Sequence, residues 1–247
     1  MAVIVGSARS GGSNGKISGD TAGDQNKKEV STQDYYVHSK GWRVFRAKDA
    51  SKRKLIADAM RAACKNDKIG YDQSQRNTLY NLAAKVGFDP AKVTSACETD
   101  CSALVRVCCA YAGIKMSDFN TSNQANRLLA SGAFTELTGD KYTKQSAYLA
   151  EGDILVTKTK GHTVVVLSSG SKVETESVKA PVTYTGKKIK VTGGTVNIRT
   201  GPGTKYTAIH VANKGEKFNL PDTDGWRPIE YGGHVYWISS KYSEVEG

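Results

Sequence analysis

Apolar residues recur at helical spacing in the first half of the chain and at strand spacing after about residue 150. Four segments place apolar residues three or four positions apart, the period of a helix with one buried face. These predicted helices span residues 47–66, 73–86, 101–112 and 123–131. Residues 154–156 and 162–167 are short runs rich in β-branched residues and bounded by turn signals, which predicts strands. The aromatic residues between 30 and 45 predict short strands or an extended segment.

Residues 6–25 are rich in Gly, Ser, Asp and Asn, a composition typical of loops. After the strand at 162–167, Ser168-Ser169-Gly170 suits a three-residue hairpin loop. In that register Glu174 would lie on the same sheet face as His162, one diagonal away. A two-residue turn at Ser169-Gly170 would put Glu174 on the opposite face, and both registers stay open.

The C-terminal part has a different pattern. Residues 177–186 lack periodicity and are interpreted as a linker. Beyond it lie short strand candidates punctuated by Gly-rich turns, the pattern of a small all-β barrel. The predicted strands are 188–191, 196–199, 208–211, 217–220, 226–230 and 235–238. The chain therefore divides into residues 1–176, with a loop-rich N-terminal segment, the linker 177–186, and residues 187–247.

Charge and length narrow the class of protein. A chain of 247 residues accommodates one large domain or two modest ones. The formal net charge of +11 is spread along the chain and favours binding to a polyanion such as an anionic cell wall. No nucleic-acid-binding motif accompanies the charge. We expect no membrane insertion, since no run of 18 apolar residues occurs, and no secretory signal, since the N-terminus lacks a basic region.

The five cysteines, Cys64, Cys97, Cys101, Cys108 and Cys109, do not predict a disulfide framework, because their number is odd and two are adjacent. A zinc site is not expected either, since no histidine lies near the closely spaced pair Cys97 and Cys101. No metal or other cofactor is predicted.

Cys101 is the candidate nucleophile. Thr99 and Asp100 are good N-cap residues, so Cys101 is expected in the first turn of the third helix. There the helix dipole favours the thiolate, the form that attacks carbonyl carbons. A cysteine nucleophile needs a base, usually an imidazole, and the base needs a polar group that orients it. Cys101, His162 and Glu174 supply these three parts in chain order.

Asp100-Cys101-Ser102-Ala103-Leu104-Val105 resembles the Asp-Cys-Ser-Gly-Leu-Val motif of NlpC-type papain-like cysteine peptidases. Residues 152–155 and 162–167 are similar to the next two strands of that family. The family's third polar residue, usually His, Asn or Gln, falls on Glu174. The resemblance implies an α+β fold, with helices packed on an antiparallel sheet. It also implies substrate contacts for Asp100 and Ser102, and for Tyr71 in the place of a tyrosine that family members carry nearer the cysteine.

The segment Val196-Asn197-Ile198-Arg199-Thr200-Gly201-Pro202-Gly203 resembles the Leu-Asn-Val-Arg-x-Gly-Pro motif of bacterial SH3-like domains. Gly225-Trp226 and residues 235–242 match the rest of that pattern. Such domains commonly bind peptidoglycan or its cross-bridges. Trp226 and Trp237 could equally be barrel core, which we expect for at least one of them.

Together the two resemblances imply a phage or prophage endolysin whose partner is bacterial peptidoglycan. Such an enzyme stays in the host cytoplasm until it is released to the wall. It would cut either a bond of the stem peptide, as an endopeptidase, or the bond between muramic acid and L-alanine, as an amidase. The oligomeric state is left open. Two other classes also stay open: a non-catalytic wall-binding protein, and a cysteine acyltransferase on the same scaffold.

Overall fold

The computed structural model describes residues 2–10, 18–19, 21–173, 187–199, 203–204, 206, 208–219, 226–231 and 234–246. The chain forms two compact units, Met1–Val173 and Glu174–Gly247, each with a hydrophobic core of its own. The predicted linker, 177–186, lies outside the described residues. In the part of the chain that the structure describes, no helix has the length and apolar character needed to span a membrane.

The first unit has the predicted α+β class: a six-stranded sheet carries its main helices on one face. A 3-10 turn at Pro90–Lys92 precedes the fifth strand. The strands and helices in chain order are β1 (Ile4–Ala8), β2 (Val30–Asp34), β3 (Trp42–Ala47), α1 (Ala50–Ala63), β4 (Ile69–Tyr71), α2 (Thr78–Ala84), β5 (Cys97–Thr99), α3 (Cys101–Tyr111), α4 (Gln124–Ala130), β6 (Phe134–Leu137), α5 (Asp140–Thr143), β7 (Ile154–Thr157) and β8 (Thr163–Val166).

The six-stranded sheet is antiparallel throughout, in the order β2-β1-β8-β7-β3-β6. Strand β1 pairs with β2 over five residues, but with β8 only through Val5 and Gly6. The short strands β4 and β5 form a separate parallel pair. Strand β5 leads directly into α3, so this pair determines where that helix begins.

Side chains alternate between two cores on the opposite faces of the sheet, as strand geometry requires. One face carries Phe45, Ile154 and Val165 and packs against α1 and α3 in the larger core. The other face carries residues such as Trp42 and Val164, which form a smaller core. The sheet is therefore buried on both sides near its centre.

All four predicted helices are present, two of them within one residue of the predicted bounds and two of them clearly shorter than predicted. The helix expected over 47–66 is α1, whose N-cap Asp49 accepts a hydrogen bond from the backbone N–H of Ser51. The helix expected from residue 73 begins at Thr78. Before it, the Asp72 carboxylate accepts backbone N–H groups from Ser74 and Gln75 at 2.6 and 3.0 Å. This local turn competes with helix formation.

The predicted hairpin after β8 is wrong in both of its registers. Strand β8 has β7 on one edge and β1 on the other, so no edge is left for a returning strand. The chain instead leaves the sheet after Val166, and the N–H groups of Gly170 and Lys172 donate to carbonyls of Leu149 and Ala147. The strand that pairs with this edge of β8 is β1, from the N-terminus, where the composition predicted a loop from residue 6.

The second unit is a small all-β domain, as predicted, and each predicted strand is present within two residues. Its strands are β9 (Lys188–Val191), β10 (Thr195–Arg199), β11 (Ala208–Asn213), β12 (Lys217–Asn219), β13 (Trp226–Tyr231), β14 (His234–Ser239) and β15 (Ser243–Glu246). They form sheets in the orders β11-β10-β14-β13 and β12-β9-β15 around an aliphatic core. Trp226 and Trp237 are both half-buried and lie outside that core, contrary to the expectation for at least one of them.

A buried ion pair joins β3 to the turn that precedes β7. The Asp153 carboxylate is fully buried and accepts both Nε and Nη2 of Arg46, at 2.8 and 2.7 Å. It also accepts the backbone N–H of Ala150 at 2.7 Å. Gly152, just before it, has φ +84°, and an added Cβ would lie 2.1 Å from the Arg53 carbonyl oxygen. This turn therefore tolerates neither a bulkier residue nor the loss of its carboxylate.

We expect Asp153→Ala to lower the free energy of unfolding of the first unit by about 3–5 kcal/mol, because it removes the buried carboxylate that accepts hydrogen bonds from Arg46 and from the Ala150 N–H. The matched control is Lys144→Ala, which removes an exposed ion pair to Asp140 and should cost less than about 0.5 kcal/mol. Urea denaturation of the full chain measures both. Equal losses in the two variants would contradict the structural role of Asp153.

Candidate active site

Cys101 is the first residue of α3, in the place that the sequence predicts. The N-cap Asp100 accepts the backbone N–H of Ala103 with Oδ1 at 2.7 Å, and the Ser102 hydroxyl donates to the same oxygen at 2.7 Å. The Cys101 side chain is only 7% exposed. The cap therefore holds a buried sulfur at the positive end of the helix dipole.

Arg76, which sequence reasoning did not single out, holds this cap in place. Its Nε forms an ion pair with Asp100, and its Nη2 donates to Ser102 Oγ at 3.1 Å. A second carboxylate, Asp118, accepts Nη1 at 2.7 Å. Asp100 and Ser102 thus have a structural role at the start of α3. Their predicted contact with substrate stays a prediction.

His162 lies directly before β8, at the end of the turn from β7. Its backbone N–H donates to Thr157 Oγ1 at 3.0 Å, and its carbonyl accepts the Thr157 N–H at 3.0 Å. These two hydrogen bonds fix the position of the His162 backbone, from which the imidazole ring extends. The ring Nε2 lies 3.3 Å from Ser7 Oγ on β1, a contact between residues 155 positions apart.

The structure links Cys101 to the start of β8 through Thr163, the residue that follows His162 in the chain. The backbone N–H of Thr163 donates to the Cys101 sulfur. The Thr163 hydroxyl is held in turn by Gln124 Nε2 at 3.0 Å and by the Leu155 carbonyl at 2.8 Å. Between these described residues no hydrogen bond joins the thiol to the imidazole. Catalytic hydrogen bonds are often long before substrate binds.

Burial keeps both candidate catalytic groups uncharged. It raises the pKa of the Cys101 thiol to about 12, and the neighbouring Asp100 charge adds to the rise. It lowers the pKa of His162 to about 4, and the positive charges of His38 and Arg9 add to the decrease. The expectation that the helix N-terminus gives a thiolate is therefore wrong: loss of hydration outweighs the dipole and the two N–H donors to the sulfur.

Two tyrosines, one from β4 and one from the loop before β3, lie near enough to Cys101 for its charge to affect their pKa. Burial raises the pKa of Tyr71, and the nearby Cys101 increases it further. The same two causes, in the same order, raise the pKa of Tyr36. Tyr71 was a predicted site residue, and its hydroxyl accepts a hydrogen bond from Gln73 Nε2 at 2.8 Å. Tyr36 precedes β3 and carries no motif signal, because only the folded sheet brings it to Cys101.

The predicted third residue, Glu174, lies outside the described residues, so its role stays a prediction. Two polar residues of the N-terminal segment, Asp24 and Gln25, form hydrogen bonds within their own loop. The Asp24 carboxylate accepts backbone N–H groups of Lys28, Glu29 and Val30 at 3.0–3.1 Å and so shapes its own loop. The Gln25 amide donates to carbonyls of that loop. Among the residues that the structure describes, no cluster of acidic, Cys or His side chains could hold a metal ion.

The second unit has a separate candidate site, an open pocket of about 440 Å³. Its walls combine two aromatic side chains with polar ones and with the small residues of the β9–β10 turn. The lining residues are Gly193, Gly194, Thr195, Val196, Asn197, Arg199, Thr204, Trp226, Ser239 and Tyr242. Arg199 Nη1 donates to the carbonyls of Thr204 and Tyr206 at 3.2 and 2.7 Å, so its guanidinium holds the pocket's rim.

Comparison with known proteins identifies both units. Residues 5–173 match the model of the endolysin-like domain, which covers most of the chain, and the chain belongs to that family. Residues 194–244 match the model of the bacterial SH3 domain. No curated protein matches the chain. The two matches support a peptidoglycan-related function and suggest a cell-wall hydrolase with a wall-binding module.

The ionisation of Cys101 can be measured by alkylation with iodoacetamide. Because the thiol pKa is near 12, we expect a slow rate at pH 7 that rises about tenfold per pH unit through pH 9. Mass spectrometry of tryptic peptides identifies the labelled cysteine, and the half-buried Cys64 is an internal comparison. A rate at Cys101 that is already constant between pH 5 and 8 would indicate a thiolate–imidazolium pair instead.

Proposed function

We propose that this chain is a peptidoglycan hydrolase that cleaves an amide bond by cysteine nucleophilic catalysis. The observation that carries the proposal is the hydrogen bond from the Thr163 N–H to the Cys101 sulfur. It places Cys101, at the N-terminus of α3, beside the backbone of Thr163, the residue that follows the buried His162. The family match supports the substrate class, and the buried, neutral Cys101 and His162 support cysteine nucleophilic chemistry.

In the proposed first step, the Cys101 thiol gives its proton to the neutral imidazole of His162 as the sulfur attacks the amide carbonyl carbon. The C=O π electrons move to the oxygen, and the backbone N–H of Cys101, at the start of α3, contributes to stabilising that oxyanion. The imidazolium then returns the proton to the amide nitrogen as the C–N bond breaks. An amine leaves, and an acyl thioester remains on Cys101.

In the second step, His162 takes a proton from water, whose oxygen attacks the thioester carbon. The C–S bond breaks, the sulfur is reprotonated, and the carboxylic acid product leaves. The same chemistry serves an endopeptidase and an N-acetylmuramoyl-L-alanine amidase. Mass spectrometry of digested peptidoglycan distinguishes the two by the new amino terminus, which is that of L-alanine only for the amidase.

We expect Cys101→Ala to abolish lysis of cell walls, because no other group replaces the nucleophile. Cys108→Ala is the matched control: it lies in the same helix, is fully buried, and should retain activity. The measurements are the turbidity of a suspension of purified walls and circular dichroism to confirm folding. Lysis by a folded Cys101→Ala protein would overturn the mechanism.

We propose further that the second unit binds the cell wall through the pocket bordered by Trp226 and Tyr242. Both side chains are available to a ligand: Trp226 is half-buried and Tyr242 is 43% exposed. Flat aromatic surfaces beside amide and hydroxyl groups suit peptide or sugar groups of peptidoglycan. Wall binding by this unit would raise the effective concentration of the first unit at its substrate.

We expect Trp226→Ala and Tyr242→Ala each to weaken sedimentation of the chain with purified walls by about tenfold. Tyr231→Ala is the control, since Tyr231 is also a 41% exposed aromatic residue of this unit but does not line the pocket. Activity on soluble wall fragments should not change in any of the three variants. Equal wall binding by all three would exclude the pocket as the binding site.

A further inference from the structure

We infer that Ser7 positions the imidazole of His162 for catalysis, in the role that the sequence resemblance gives to Glu174. The inference rests on the proposed function. The third residue of the site would then come from the N-terminal strand, 94 positions before the cysteine, instead of following the histidine in the chain.

The Ser7 side chain is held at a defined place in the sheet. Ser7 is 1% exposed, and it pairs with Ser31 in the β1–β2 ladder. Its backbone N–H donates to the sulfur of Cys64, which packs against β1 from α1. With neighbours on both sides, Ser7 cannot move far, and its Oγ lies 3.3 Å from His162 Nε2.

The register of the sheet explains why this serine meets the histidine. The β1–β8 ladder pairs Val5 with Val166 and Gly6 with Val165, and there it ends. Continued by one step, it would put Ser7 opposite Val164. His162 would then occupy the diagonal position on the same face, within reach of a side chain. The Ser7–His162 contact thus joins the two strands just beyond their last backbone pair.

The contact determines which ring nitrogen is available for catalysis. A neutral imidazole carries its proton on one nitrogen and a lone pair on the other. With Nε2–H donating to Ser7 Oγ, Nδ1 keeps the lone pair that must accept the proton of the Cys101 thiol. The hydroxyl remains an acceptor for Nε2–H after His162 becomes an imidazolium, so the ring need not turn between the two states.

A serine also fits the charge of its surroundings better than a carboxylate would. A carboxylate in this position would favour the imidazolium and raise the pKa of His162. The charged groups that act on the ring are Arg9 from the end of β1 and His38 from the loop between β2 and β3, and both disfavour the imidazolium. A neutral orienting group leaves His162 as the free base that the proposed first step needs.

The test compares Ser7→Ala with the matched control Ser168→Ala, which removes another hydroxyl that contacts β1, the acceptor of the Ile4 N–H at 2.8 Å. For Ser7→Ala we expect kcat on soluble muropeptides to fall by about tenfold to a hundredfold with KM nearly unchanged. The acid limb of the pH profile should move to lower pH, because the imidazolium loses an acceptor. In ¹⁵N NMR spectra, the His162 ring should change from Nε2-protonated to a mixture of tautomers. Ser168→Ala should keep the wild-type kcat, pH profile and spectrum.

Wild-type kcat and an unchanged His162 spectrum in Ser7→Ala would overturn the inference. A decrease in kcat that is larger in Glu174→Ala than in Ser7→Ala would overturn it as well. If Ser7→Ala fails to fold by circular dichroism, Ser7→Cys keeps a similar volume with a much weaker acceptor and is judged by the same readouts. The Cys101→Ala variant separates the two proposals. An active Cys101→Ala protein refutes the mechanism itself, whereas an inactive one beside a fully active Ser7→Ala refutes only the role of Ser7.

Discussion

The first unit depends on the backbone hydrogen bonds that place β8 between β7 and β1. A strand in the middle of an antiparallel sheet needs a partner on each edge, and here the partners come from opposite ends of the unit. This arrangement buries β8 completely and puts His162 directly before its first residue, Thr163. Cys101 then accepts a hydrogen bond from β8 itself, so the sheet and the helix share one polar contact at the site.

Burial has two opposite effects on this site. It excludes water, which strengthens every polar contact with a bound substrate. It also removes the hydration that a thiolate and an imidazolium would need, so the resting pair is a thiol and a neutral imidazole. In the proposed mechanism, charge separation is then confined to the reaction itself, when the substrate's carbonyl oxygen accepts the negative charge. A buried cysteine at rest is also protected from alkylation and oxidation.

Local sequence patterns predicted most of the helices and strands. The pairing between strands that are distant in the chain could not be predicted in this way. The 3.6-residue period found all four helices, and the cap at Asp100 placed Cys101 correctly because capping depends on neighbouring residues only. The partner of β8 was missed, since residues 4–8 are short and precede a glycine-rich segment that resembles a loop. Ser7, Tyr36 and Arg76 reach the site across 24 to 155 positions of sequence, and no spacing rule extends so far. The thiol pKa was misjudged for the same reason, because its burial depends on tertiary packing.

The contact between Ser7 and His162 also has a consequence for the folding of the chain. Loop closure between such distant residues is slow compared with the formation of a helix or a local hairpin. During synthesis, α3 and its cysteine emerge from the ribosome well before β8 does. The histidine can meet the N-terminal strand only when nearly the whole first unit has been translated. The order of the strands thus sets the order of assembly: Cys101 is made early, but the contact between Ser7 and His162 forms only after the sheet has closed.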